Sequence, residues 1–190
     1  MTMTRAQLFV RAAVTGGVLA AGPLAARALA DLEEDLDVLG YLLTIEYVQS
    51  GLYRDALQEL ALSEDVARLA EELRDHEVQH VDALRATIED AGGTPPERVS
   101  LDFGEGLASE ATFLKLANTI EDTTVSAYNG AAPRLESREF MAILASIAQV
   151  EARHSALVRL VRDKPPAPLP LDKASTRLDV RTAIRDFEVR

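Results

Sequence analysis

Apolar residues recur at helical spacing through most of this chain, and the spacing predicts four long amphipathic helices. The first covers about residues 32–61, with Leu39, Leu42, Tyr53, Leu57 and Leu60 along one inward stripe. Asp31, Glu33, Glu34, Asp35 and Asp37 gather at its expected start, where the helix dipole favours negative charge. The second runs from about 64 to 91, opened by Ser63 and stopped by Gly92-Gly93. A third covers about 109–132 and a fourth about 138–163. Residues 92–108, with Pro95-Pro96 and Gly104-Glu-Gly106, make a connection too long for a tight loop. Extended chain of that length reaches ~50 Å, enough to run beside a helix ~40 Å long. An all-α four-helix bundle is therefore expected over residues 31–163, as two helical hairpins joined by a long crossover. Lys164-Pro-Pro-Ala-Pro-Leu-Pro170 ends the bundle in extended polyproline chain. In the remaining tail Ser175 is placed to cap a short helix with Val180, Ile184 and Phe187 on one side. The tail, 164–190, is expected to pack on the bundle or on a neighbouring subunit; the alternative is a disordered tail.

The first 30 residues break the pattern. They carry Arg5, Arg11 and Arg27 and no acid, then an apolar stretch from Ala12 to about Ala26 interrupted by Gly16, Gly17, Gly22 and Pro23. Ala28-Leu29-Ala30 fits a small-x-small cleavage site, so residues 1–30 read as an export signal and the protein as periplasmic or extracellular. A retained anchor and an ordinary helix are the alternatives; the apolar run falls short of the ~20 residues a spanning helix needs. Thr4-Arg5-Ala6-Gln7-Leu8-Phe9 resembles a twin-arginine motif with Ala6 where the second Arg should stand, so the export route stays open.

Composition narrows the class. There are 190 residues, 47% of them apolar, only 5% aromatic, and no Trp. That is enough chain for one domain with a full core. The absence of Cys excludes disulfides, iron–sulfur clusters and a thiolate-held electron carrier within this chain. The net charge of −11 becomes −14 once the three arginines of the first 30 residues are removed. Such a charge argues against nucleic acid and anionic membranes as partners, and it raises the local concentration of cations. A merely well-solvated surface would look the same.

The chemistry lies on the inward stripes, which carry acids among apolar neighbours. Glu46 stands near Leu39, Leu42 and Leu43. Glu77-Val78-Gln79-His80 follows Ala70 and Leu73. Glu121 follows Leu114 and Ala117, and Glu151-Ala152-Arg153-His154 follows Leu144 and Ile147. A lone Glu followed by Glu-x-x-His thus occurs twice, with 31 residues from Glu46 to Glu77 and 30 from Glu121 to Glu151. If each hairpin turns at its midpoint, all four acids stand at one depth. Within Glu-x-x-His the i and i+3 side chains share a face. One Glu from each of two helices and a Glu-x-x-His from each of the others is what a dimetal bundle requires. Two divalent cations would neutralise four carboxylates that are otherwise very costly to bury. Carboxylates with imidazoles suit iron first and manganese next, with zinc still open.

The flanks repeat as well. Thr44-Ile45-Glu46 recurs as Thr119-Ile120-Glu121; Tyr53 and Tyr128 each follow their Glu by seven residues; Arg85 and Arg159 each follow their His by five. The offset drops from 75 to 74 between the paired segments, as a shorter second turn would give. Tyr53 and Tyr128 are either core tyrosines or hydrogen-bond partners of metal ligands. His76 opens a His-Glu-x-x-His, the zinc-protease pattern, in which His76 and His80 bind zinc, Glu77 acts as base, and Glu97 or Glu105 is the third ligand. That reading leaves the second half of the repeat unexplained. In the dimetal reading His76 lies beside the ligand set or on the surface.

These motifs make the chain resemble the ferritin-like superfamily over about residues 35–163. Within it the chain is similar to exported ferritin-like domain proteins related to plant desiccation-associated proteins, whose Pro-rich tail it also shares. The superfamily includes ferritins, rubrerythrins, manganese catalases and di-iron oxygenases. The resemblance implies a ferritin-like bundle holding two iron or manganese ions that react with O₂ or peroxide. Ferroxidase-like metal oxidation or stress protection is the first expectation. Peroxide disproportionation as in manganese catalases, and a non-catalytic protective bundle, are the alternatives. The missing Cys departs from rubrerythrin's pattern, so peroxidase turnover would draw on an external electron donor. Assembly into a homo-oligomer or storage shell stays open.

Overall fold

The computed structural model describes residues 22–187, which include no strand. Helix α1 spans Pro23–Glu59, α2 Glu64–Asp90, α3 Glu110–Ala131, α4 Arg138–Val161 and α5 Arg177–Ile184. Single 3₁₀ turns lie at Gly104–Leu107, Ala132–Arg134 and Arg185–Phe187. Residues 1–21 of the expected export signal lie outside the described residues. No described helix is long and apolar enough to cross a membrane.

α1 begins nine residues before the expected position. Pro23 occupies its first turn, where a missing N–H costs nothing, and nothing from Leu24 to Leu36 breaks a helix. The acids from Asp31 to Asp37 therefore sit turns inside α1 rather than at its start. Asp35 has a different use. It is buried, and its carboxylate accepts the Glu136 and Ser137 N–H groups, both at 2.9 Å, at the N-terminus of α4.

The hairpins turn where the spacing placed them. Glu46 lies 13 residues before Glu59, the end of α1, and Glu77 lies 13 after Glu64, the start of α2. Glu121 lies 13 before Arg134, where the 3₁₀ turn ends, and Glu151 lies 13 after Arg138. Residues 60–63 make the first turn and 135–137 the second, which accounts for the drop of one in the offset. Ser109 and Ser137 cap α3 and α4 through their side chains. Ser63 does not cap α2 this way; its N–H is donated to Glu110 at 2.5 Å instead. Gly92, at φ 85°, ends α2 in the left-handed region. The crossover then runs to the opposite end of the bundle.

α1 is buried on every side from Ile45 to Tyr53, not along one stripe only. The crossover covers its outer side: the Tyr47 hydroxyl donates to the Pro96 carbonyl at 3.2 Å, and Leu101 and Phe103 lie against Gly51. A Cβ on Gly51 would stand 2.5 Å from Leu101 Cδ1. The tail packs on the bundle. Val180 and Ile184 are buried, the Ser175 N–H donates to the Ser126 carbonyl, and the Phe187 ring meets Phe103 at 5.5 Å between centroids with the planes tilted by 37°. Thr176, not Ser175, caps α5, in a reciprocal pair with Asp179. Ser175 is held instead by its backbone contacts to α3.

Candidate metal centre

Glu46, Glu77, Glu121 and Glu151 are all 0% exposed, and His80 and His154 are buried beside them. α1 to α4 each deliver their part at one level because each Glu is equally far from its turn. Two overlapping groups result, each with donor atoms within 4.8 Å of one another: Glu46, Glu77, His80 and Glu151, and Glu77, Glu121, Glu151 and His154. Glu77 and Glu151 belong to both. The expected six residues thus come together as two fourfold sets sharing two carboxylates. Glu97 and Glu105, the third ligands of the zinc-protease reading, lie exposed on the crossover and join neither group.

The contacts inside the cluster fit a cation better than hydrogen bonding. His154 Nδ1 approaches Glu77 Oε1 to 2.8 Å, yet neither atom has a hydrogen-bond partner. Glu46 Oε2 and Glu151 Oε1 are also buried without one. Buried charged atoms are rarely left in that condition, since each costs several kcal/mol. Four such atoms on residues of the two groups, hard oxygens with imidazole nitrogen, belong to a donor set that can hold divalent metal ions.

The electrostatics agree. Burial pushes the Glu46 and Glu77 carboxyls up to about 7, with the neighbouring carboxylates adding to it. Burial also raises Glu121, and Glu151 and Glu77 raise it further. Burial pulls His80 down, but its contacts with Glu151, Glu46 and Glu77 at 2.9, 3.4 and 3.1 Å outweigh this and hold it at about 12. Burial lowers His154, and the neighbouring His80 charge lowers it further. Without metal, protons shared by these groups perform the neutralisation that cations would perform.

The two tyrosines cross the pseudo-twofold axis of the repeat. Tyr53, on the helix of Glu46, donates to Glu121; Tyr128, on the helix of Glu121, donates to Glu46. Burial and the carboxylate charges raise both phenols well above their ordinary range, so both remain donors. The arginines also come as a matched pair, but each stays within its own hairpin. Arg85 donates to Tyr47 at 2.9 Å and Arg159 to Asp122 at 2.7 Å, each target being the residue after the lone Glu. His76, half-buried, meets His154 through Nδ1···Nε2 at 3.0 Å with the rings stacked, which places it directly behind one imidazole of the cluster.

One residue escaped the sequence reading. Gln49, 0% exposed, donates through Nε2 to Glu151 Oε2 at 2.9 Å and to Glu121 Oε2 at 3.2 Å. Its position, three residues after Glu46, was a usable signal, because i and i+3 share a helix face. The internal repeat concealed it, since the matching residue is Thr124.

Comparison with known proteins agrees with this fold. The ferritin-like domain family matches residues 34–164 of the chain. No curated protein matches. Among solved structures, Dps92 of Deinococcus radiodurans superposes with a TM-score of 0.62 at 12% identity, over 69% of this chain and 87% of that one. A conserved hypothetical protein of Mycobacterium tuberculosis gives 0.59 at 14% identity, over 77% and 99%. A hypothetical protein of Methanococcus jannaschii gives 0.60 at 12% identity, over 79% and 91%. At such identities these likenesses concern the fold alone.

Proposed function

Because this chain belongs to the ferritin-like domain family, we propose that it is an exported dimetal carboxylate protein that reacts with O₂ or peroxide. The observation that carries this reading is the pair of donor groups sharing Glu77 and Glu151, with unpartnered buried oxygens on Glu46, Glu77 and Glu151. Glu46 and His80 would hold one ion, Glu121 and His154 the other, and Glu77 and Glu151 would lie between them. Iron is the first candidate and manganese the second. The ions, when bound, supply the electrons and the Lewis acidity that O₂ or peroxide chemistry needs.

The chain's own residues orient and shield. Tyr128 and Tyr53 fix one oxygen each of Glu46 and Glu121; the second oxygen of Glu46 is left without a hydrogen bond, whereas that of Glu121 accepts from Gln49. Full burial keeps bulk water from the carboxylates. With no Cys in the chain, electrons for peroxidase turnover would come from an external donor.

Elemental analysis of the purified protein, followed by O₂ and peroxide consumption, tests the reading. About two iron or manganese ions per chain are expected. Glu77→Ala and Glu151→Ala are expected to lose metal and turnover together. Full turnover in either variant would refute the assignment. The second reading, a protective bundle without turnover, draws on the complete burial of the four carboxylates. It predicts bound metal, no consumption of either oxidant, and unchanged protection by the two variants.

A further inference from the structure

We infer that Gln49 makes the two cation positions unequal, so that the position beside His80 fills before the position beside His154. The inference rests on the dimetal reading and concerns what the internal repeat does not repeat.

Apart from Gln49 and His76, which falls opposite Val150, the features of the cluster have partners in the other half. Glu46 matches Glu121, Tyr53 matches Tyr128, and Arg85 matches Arg159. Gln49 matches Thr124, whose hydroxyl turns back to its own helix and donates to the Ile120 carbonyl at 3.0 Å. Gln49 reaches inward instead. Glu121 therefore accepts hydrogen bonds on both oxygens, from Tyr53 on Oε1 and from Gln49 on Oε2. Glu46 accepts one, from Tyr128 on Oε1, and its Oε2 has no hydrogen-bond partner. Glu151 also accepts from Gln49, but it belongs to both donor groups, so that bond does not separate them.

A hydrogen bond to a carboxylate oxygen draws off charge that a cation would otherwise use. Glu121 is thus the poorer ligand of the two lone acids, by one donor. The imidazole contact of His76 works in the opposite direction on His154 when His154 donates it, but a bond between neutral rings is weaker than one to a carboxylate. One hydrogen bond to a charged group corresponds to a factor of about ten in affinity. Gln49 is accordingly a positioning residue whose effect falls on one side of a near-symmetric site.

The test uses the full chain, freed of metal with a chelator and crystallised with one equivalent of Mn²⁺. Anomalous scattering reports how the ion divides between the two positions, and calorimetric titration of the same protein gives the two binding steps. In the native chain the position beside His80 is expected to hold about ten times the occupancy of the other. In Gln49→Leu, which keeps volume and removes the donor, the two should come within about threefold. In Gln49→Glu, which places a carboxylate where the donor was, the ion should move to the His154 side. Equal occupancy in the native chain, filling of the His154 side first, or the same division in all three proteins would overturn the inference. Two ions bound without preference would leave the dimetal reading standing and remove only the role of Gln49. No ion at either position would remove both.

Discussion

Tyr53 and Tyr128 show how much a single hydroxyl does in a closed carboxylate cluster. Each phenol crosses to the acid on the other hairpin, so each ties the halves together at the site. Their removal should not cost the same. Tyr53→Phe leaves Glu121 with the Gln49 donor; Tyr128→Phe leaves Glu46 with only the 3.4 Å approach of His80. Tyr128→Phe should therefore destabilise the metal-free protein more, by about 1–3 kcal/mol against a smaller loss for Tyr53→Phe. Urea unfolding of the metal-free variants measures this, and equal losses would contradict it. The pair was legible in the sequence as two residues at the same distance from two acids. Their crossed pairing was not, because spacing along a helix says which face a side chain occupies and nothing about the neighbour it meets.

Among the elements, α1 departed most from the periodic reading, while the tail differed only in its cap, Thr176 in place of Ser175. α1 carries a stripe like its neighbours, yet from Ile45 to Tyr53 it is buried all round because the crossover closes over its outer side. A helix enclosed in this way loses the one-sided signature on which sequence reading depends. Two substitutions probe the attachments. Asp35→Ala removes the carboxylate that accepts two N–H groups at the start of α4 and should cost about 1–3 kcal/mol in urea unfolding. Gly130→Ala would place a Cβ 2.0 Å from the Ser175 carbonyl oxygen, a backbone atom that cannot swing aside. The tail should then detach. Limited proteolysis between Lys164 and Ser175 should accelerate, with the four-helix core retained as a stable fragment. Unchanged cleavage would show that the tail is not held there.

For the whole molecule the cluster sets a pH dependence. Glu46 and Glu77 stand at about 7 in the folded, metal-free protein, above the ordinary value of 4.5. A raised carboxyl favours folding below its unfolded value, and that benefit is lost as pH rises through the folded value. The metal-free protein should lose thermal stability between about pH 5 and 8. Divalent metal should act oppositely. It displaces the protons, so binding should tighten over the same range and release protons measurable by calorimetry in buffers of different ionisation enthalpy. Melting curves with and without Mn²⁺ at several pH values check both statements. Metal-free stability that rose with pH would sink them.

The sequence alone determined the bundle, its two turns and the six inward donors. Each rests on local counting: period 3.6 for the faces, equal distances from the turns for the common depth, and a repeat that doubles the signal. It also fixed the chemistry those donors offer, since carboxylates among leucines need compensation wherever they meet. Tertiary structure alone decided which acid each tyrosine reaches, that Asp35 serves a helix a hundred residues away, and that Gln49 enters the cluster while Thr124 turns aside. Those outcomes depend on the approach of side chains from different helices, a distance of a few ångströms fixed by packing and recorded in no single stretch of chain.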